Sequence, residues 1–170
     1  KTAMTDAAGK RITFGQYGGL SLALARVLKR QFGAAPDGSR KNGVYAELGH
    51  PAIGIFLPPS AIGAITNMAA TLGGFVTVNL NYTAGPESMQ SAVEQAEIAT
   101  ILTTKRFLEK LKIEQSPNMV LVEDLLAGIG KGKYLWAAAL LLMPRRLLAR
   151  FFDAVRPDDV ATVIFSSGST

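Results

Sequence analysis

The densest chemical signal is Ser166-Ser167-Gly168-Ser169-Thr170, four hydroxyls around one glycine. An acidic pair, Asp158-Asp159, leads into the apolar run Val160 to Phe165 immediately before it. A glycine at 168 lets the backbone approach an anion and take φ > 0. Successive amide N–H groups of such a loop form an anion nest. Ser166, Ser169 and Thr170 add hydroxyl donors, so the chemistry that fits is the holding of a polyphosphate. On pattern alone a plain turn competes, because a strand running into Ser and Gly is ordinary turn chemistry. The loop is not of the G-x-x-x-x-G-K-[ST] kind, and no G-x-G-x-x-G follows any predicted strand.

Other reactive types are few. There is no Cys, so a disulfide framework, a thiolate metal site and a Cys nucleophile are excluded. The single histidine, His50, precedes Pro51 with no second metal ligand near it in sequence, and reads as a loop residue. Asp158 and Asp159 read as a charged lead into a strand rather than a metal pair. Glu94 and Glu97 share a helix and read as a solvated face. No catalytic residue and no metal ligand is assigned in this chain.

The elements that would position the loop follow from periodicity. Ile12 to Phe14 reads as extended. Leu20, Leu24, Val27 and Leu28 form a helix stripe that Lys29, Arg30 and Gly33 close. Residues 33–43 are rich in Gly, Pro, Asp and Ser and read as a loop. Ile53 to Leu57 is a buried strand, Ser60 a helix cap, and Ile62, Ile65, Ala69 and Leu72 the next stripe. Phe75 to Asn79 is a β-branched strand. Pro86 opens a helix with Met89, Val93 and Ala96 on one face. Ala99 to Thr103, Met119 to Val122 and Val160 to Phe165 are strands, with a short helix over Arg106 to Leu111. Strands alternate with helices, and several are continuously apolar. The fold class is therefore α/β, a mostly parallel sheet flanked by helices. Ligands in such sheets bind beyond the carboxyl ends of strands, here after Leu57, Asn79 and Phe165.

The length of 170 residues suggests one domain. A net charge of +5 with 48% hydrophobic residues excludes a disordered chain. The longest apolar run, Tyr134 to Met143, is about half of what a spanning helix needs. No secretory signal opens the chain. Between Lys105 and Arg156 ten Lys/Arg face five Asp/Glu. No recognised nucleic-acid motif accompanies them, so nucleic acid is not an expected partner.

Several segments resemble, in order, the adenylate-forming (AMP-binding) family, which includes acyl-CoA and acyl-carrier-protein synthetases, luciferases and peptide-synthetase adenylation domains. The strand plus Ser166 to Thr170 is similar to the front half of that family's phosphate loop, whose motif runs on through G-x-P-K-G. Ile12 to Gln16 with the Leu20–Arg26 helix resembles its T-Y-x-x-L…A-x-x-L opening. Gly54 to Ser60 is similar to V-A-I-x-L-P-N-S, and Ala69 to Val78 to A-x-x-x-G-A-V-x-V-P. Asn79 departs from the family's usual Pro. Asn81-Tyr82-Thr83-Ala84-Gly85, Val122 to Leu125 and Leu142 to Arg145 resemble one branch, the acyl-[acyl-carrier-protein] synthetase half of bifunctional 2-acylglycerophosphoethanolamine acyltransferases.

The resemblance implies a two-step ligase. A fatty acid carboxylate attacks the α-phosphate of ATP with Mg2+, and a thiol of acyl carrier protein or coenzyme A then takes the acyl group. It gives Ser166, Ser167, Gly168, Ser169 and Thr170 the β- and γ-phosphates. It implies that residues 1–170 are the N-terminal part of the large domain, cut within the phosphate loop, with an acyltransferase module before Lys1 in the longer protein. It places the protein in the cytoplasm or at the inner face of the bacterial cytoplasmic membrane.

Residues 134–152 have two readings. Trp136, Tyr134, Phe151 and Phe152 flank an apolar stretch beside Arg145, Arg146 and Arg150, the composition of an interfacial amphipathic helix on an anionic membrane. The same residues also suit a buried helix broken at Pro144. Two rival functions stand beside the ligase: a non-catalytic nucleotide- or acyl-binding module, and a membrane-association module built on 134–152.

Overall fold

The structure is a computed structural model that describes residues 1–6, 9, 11–33, 51–144, 146 and 158–165, the side chains of 133 and 138 excepted. Strand β1 (Thr2–Thr5) pairs antiparallel with β2 (Arg11–Thr13). Helix α1 (Phe14–Phe32) begins where Thr13 supplies a capping box. Gln16 N donates to Thr13 Oγ1 at 3.2 Å, and Thr13 N donates to Gln16 Oε1 at 3.0 Å. Two otherwise orphaned donors are satisfied there. Lys29 and Arg30 in the last turn suit the negative end of the helix dipole, and Gly33 is the C-cap.

From residue 51 the chain alternates strictly. Strand β3 (Ala52–Ile55) leads to α2 (Ala61–Leu72), β4 (Val76–Asn79) to α3 (Pro86–Gln95), and β5 (Ile101–Thr103) to α4 (Lys105–Leu111). Strand β6 (Met119–Leu121) runs directly into α5 (Val122–Ala127), and α6 (Lys131–Leu140) follows. A two-residue strand, β7 (Thr162–Val163), completes the described elements. The sheet order is β6-β5-β3-β4-β7, with every pairing parallel. The parallel sheet expected from the apolar strands is the one found.

Alternation along each strand divides the core in two. Ile53, Ile55 and Leu102 point to one face and pack with Leu24 and Leu28 of α1, Ile65 and Ala69 of α2, and Val122 and Leu125 of α5. Ala52, Val76, Val78, Ile101 and Met119 point to the other, against Ala92 of α3 and Phe107 and Leu108 of α4. The central strands β3, β4 and β5 are thus buried on both faces, which is why they read as unbroken apolar runs. Gly54 is a glycine because neighbours fill the space: a Cβ there would lie 3.1 Å from both Ile101 Cγ1 and Ile98 Cγ2.

The differences from sequence expectation are local. β1 was not expected, since polar Thr2–Thr5 has no apolar pattern. Val122, expected to end a strand, starts α5, because Glu123 and Asp124 favour a helix first turn. Of the stretch 134–152, residues 134–140 belong to α6, which begins at Lys131 and ends at Leu140; residues 145 and 147–152 lie outside the described residues. Pro144 disfavours helical backbone before it, and the chain leaves through Leu142 N–H to Ala139 O and Met143 N–H to Leu140 O. The inner side of α6 is core, with Ala137 and Leu140 buried against Leu22 and Ala23 of α1. The Arg26 guanidinium lies 4.3 Å from the centre of the Trp136 ring.

Candidate functional site

Strand β3 is the point where the winding reverses. The chain leaves it over the α2 face to β4, then crosses the α3 face to β5 on its other side. Loops after β3 and β5 therefore diverge, and a crevice opens beyond the carboxyl edge. A cavity of about 520 Å³ lies at this edge, beside β3 and β4. Leu57, Pro59, Ser60, Asn67, Asn79 and Tyr82 are among its walls. Leu57, Pro59, Ser60 and Tyr82 come from the loops after β3 and β4 that the sequence singled out, Asn79 from the end of β4, and Asn67 from within α2.

Each wall has a local cause. Ser60 caps α2: its Oγ accepts from Gly63 N at 3.2 Å and donates to Pro58 O at 3.0 Å. That pair of bonds holds the Pro58-Pro59 turn against the helix. Gly63 must lack a side chain, because a Cβ would sit 2.8 Å from Pro58 O. Across the cavity, the amides of Asn67 and Asn79 donate to each other's Oδ1, both at 3.0 Å, and Asn67 Nδ2 also donates to Gly63 O at 3.1 Å. Asn79 thus ties the end of β4 to α2, where the resembled family's usual Pro offers no side-chain donor.

The turn after β4 is pinned as well. Asn81 Oδ1 accepts from Thr83 N at 2.9 Å and from Thr83 Oγ1 at 2.7 Å, a side-chain-closed turn. Tyr82 meets Phe107 edge-on, ring centres 5.3 Å apart, and Phe107 packs on Phe56 at 5.2 Å. On the next strand over, α4 takes its cap from a distance: Lys105 N donates to Glu123 Oε1 at 3.1 Å. Thr103 Oγ1 is buried at the end of β5 with no hydrogen-bond partner.

The phosphate-loop candidates Ser166, Ser167, Gly168, Ser169 and Thr170 lie outside the described residues, as does His50. The strand that leads to them is described. β7 runs parallel to β4, with Thr77 opposite Thr162 and Val78 opposite Val163. Thr162 Oγ1 donates to Thr77 O at 2.8 Å, and Thr77 N donates to Ala161 O at 3.1 Å. β7 therefore ends at the same edge as Asn79 and the cavity. Asp158 and Asp159 precede it, toward the opposite edge. Glu94 and Glu97 are exposed, and Glu94 Oε1 accepts from Gln90 Nε2 at 2.7 Å.

The cavity lining carries no charged side chain among the described residues, so it is suited to seat neutral polar and apolar groups. Among the described residues, no three His, Cys, Asp or Glu side chains come together to hold a metal ion. The described edge thus offers Mg2+ no carboxylate set. Sequence reasoning placed the loops but missed Asn67 and the Asn79 partnership, because the two amides meet only after α2 and β4 pack.

A doubly wound parallel sheet with its crevice at β3, and with β7 ending at the same edge, defines a class of α/β protein that binds ligands beyond the carboxyl ends of its strands. The AMP-binding enzyme family model matches residues 1–170, and the chain belongs to that family. Solved structures agree in fold. VinN in complex with 3-methylaspartate superposes with a TM-score of 0.67 at 19% identity, over 99% of this chain and 40% of VinN. The N-terminal subdomain of Klebsiella oxytoca NpsA in complex with 3-hydroxybenzoyl-AMSN gives 0.65 at 15% identity, over 99% of this chain and 34% of that one. The nonribosomal peptide synthetase FmoA3 in its AMPPNP-bound form gives 0.61 at 14% identity, over 96% and 14%. The chain thus spans well under half the length of each.

Proposed function

We propose that this chain is the N-terminal part of the large domain of a ligase that activates a fatty acid as its acyl-adenylate. The ligase then passes the acyl group to the phosphopantetheine thiol of acyl carrier protein. The observation that carries the reading is the family match over residues 1–170, joined to the parallel pairing of β7 with β4, which brings β7 to the carboxyl edge. Ser166, Ser167, Gly168, Ser169 and Thr170 hold the β- and γ-phosphates of ATP. Their amides and hydroxyls position the leaving pyrophosphate and stabilise the charge that develops on it. When bound, ATP with Mg2+ supplies the electrophilic phosphorus. The cavity at the carboxyl edge keeps its walls fixed through the Ser60 cap and the Asn67–Asn79 pair.

The fatty acid and the carrier protein are supported by the resemblance of residues 81–85, 122–125 and 142–145 to one branch. Coenzyme A as acceptor is the nearest alternative. A second reading follows from the neighbours: VinN is complexed with 3-methylaspartate and NpsA with a 3-hydroxybenzoyl compound, so an amino or aryl acid is the competing substrate. A substrate panel in a pyrophosphate-release assay on the intact protein separates these. Turnover with long-chain fatty acids and holo carrier protein supports the proposal. Turnover with amino or aryl acids alone, or acyl transfer to coenzyme A but not to holo carrier protein, contradicts it.

A further inference from the structure

Helix α6 has two apolar sides, and only one has a partner. Its inner side is the Ala137–Leu140 contact with α1. Its outer side carries Lys131, Leu135 and Ala139, spaced by four residues, and Leu142 follows in the turn that leaves the helix, all exposed. Leu135 is 65% exposed and Leu142 is 88% exposed, with Met143 half-exposed beside them. One exposed leucine is ordinary, but two together form a patch. An apolar groove of about 400 Å³ opens next to Leu135, lined by Leu20, Leu126, Ile129 and Tyr134, with Lys131 also in its wall.

The stretch of sequence that carries this patch is basic. From Leu125 to Phe152 there are five basic residues, Lys131, Lys133, Arg145, Arg146 and Arg150, and no Asp or Glu. Lys131 and Arg146 are exposed on either side of the leucines. We propose that the outer face of α6 docks on an anionic lipid surface, Leu135 and Leu142 entering the acyl boundary while the flanking basic groups meet headgroup phosphates. The groove beside Leu135 has room for an acyl segment. No helix among the described residues is long and apolar enough to cross a membrane, so α6 lies on the surface. A second copy of the chain fits poorly, because a two-fold contact through this face would set its basic residues against themselves.

Flotation of the intact protein with vesicles tests this. Vesicles of phosphatidylglycerol and phosphatidylethanolamine are expected to carry the protein, and vesicles of phosphatidylcholine alone are not; added salt releases it. Arg146→Gln should lower the partition about fivefold, the weight of one basic group near an anionic surface. Leu142→Asp should lower it about tenfold or more. Both positions are solvent-facing, so an unchanged thermal melt accompanies the loss; Leu142→Ser repeats the measurement should Leu142→Asp melt earlier. Equal binding to neutral vesicles, or wild-type binding by the variants, overturns the proposal. So does an absence of vesicle binding where Leu142→Asp instead abolishes self-association or the binding of holo acyl carrier protein.

Discussion

Ser60 shows how much of a site can hang on one hydroxyl. It caps α2 and fixes the Pro58–Pro59 turn at the same time. Ser60→Ala should cost about 1 kcal/mol, the ordinary weight of a helix cap, read by urea denaturation. Thr103 is the opposite case, since its buried hydroxyl has no partner. Thr103→Val should leave stability unchanged or raise it by up to about 1 kcal/mol, because a desolvated, unpaired group is replaced by an isosteric apolar one. Tyr17, whose hydroxyl donates to Ala64 O at 3.5 Å, has its pKa raised above 10.0 by burial. The folded state then keeps its proton where the unfolded chain loses it. Tyr17 therefore contributes stability that is complete below pH 10 and is lost as pH rises through the folded value. Tyr17→Phe should flatten that alkaline decline in denaturation curves taken on either side of pH 10. Ser60 was legible in sequence because a cap is a local signal. The Asn67–Asn79 pair and the Glu123 cap on α4 were not, since each joins residues that only packing brings together.

At the scale of elements, the strands and helices of the sheet announce themselves because burial on both faces writes apolar runs between amphipathic stripes. β3 is closely packed at Gly54. Gly54→Val would push a branched side chain against Ile98, Ile101 and Leu80 at once. It should cost about 1–3 kcal/mol, as overpacking of a filled core does, seen as a lower melting temperature. Gly63→Ala would press on Pro58 O instead and shift the turn at the cavity. The misjudged elements have physical reasons. β1 is polar and gains its order from pairing with β2. The stretch at 134–152 holds an apolar composition that suits both a core helix and an interfacial one; the structure shows α6 to be core on its inner side and bare on its outer side.

At the scale of the whole molecule, 170 residues suggested one domain, yet the chain spans 40% of VinN and 34% of the NpsA chain while covering their fold through 99% of its own length. A small domain's length is thus also the length of one layered portion of a larger enzyme. The strand leading toward Ser166–Thr170 was legible in part: of the apolar run Val160 to Phe165, β7 takes Thr162–Val163. What completes the edge was not, because β4 and β7 are some eighty residues apart and meet only in the sheet, Thr77 beside Thr162. The central claim is adenylation, and it is tested most directly by exchange of labelled pyrophosphate into ATP by the intact protein. Exchange that requires a fatty acid, and that falls sharply with Ser169→Ala and Thr170→Ala, is the predicted result. Absence of exchange with every carboxylic acid tried, or release of ADP and phosphate in place of AMP and pyrophosphate, would contradict it.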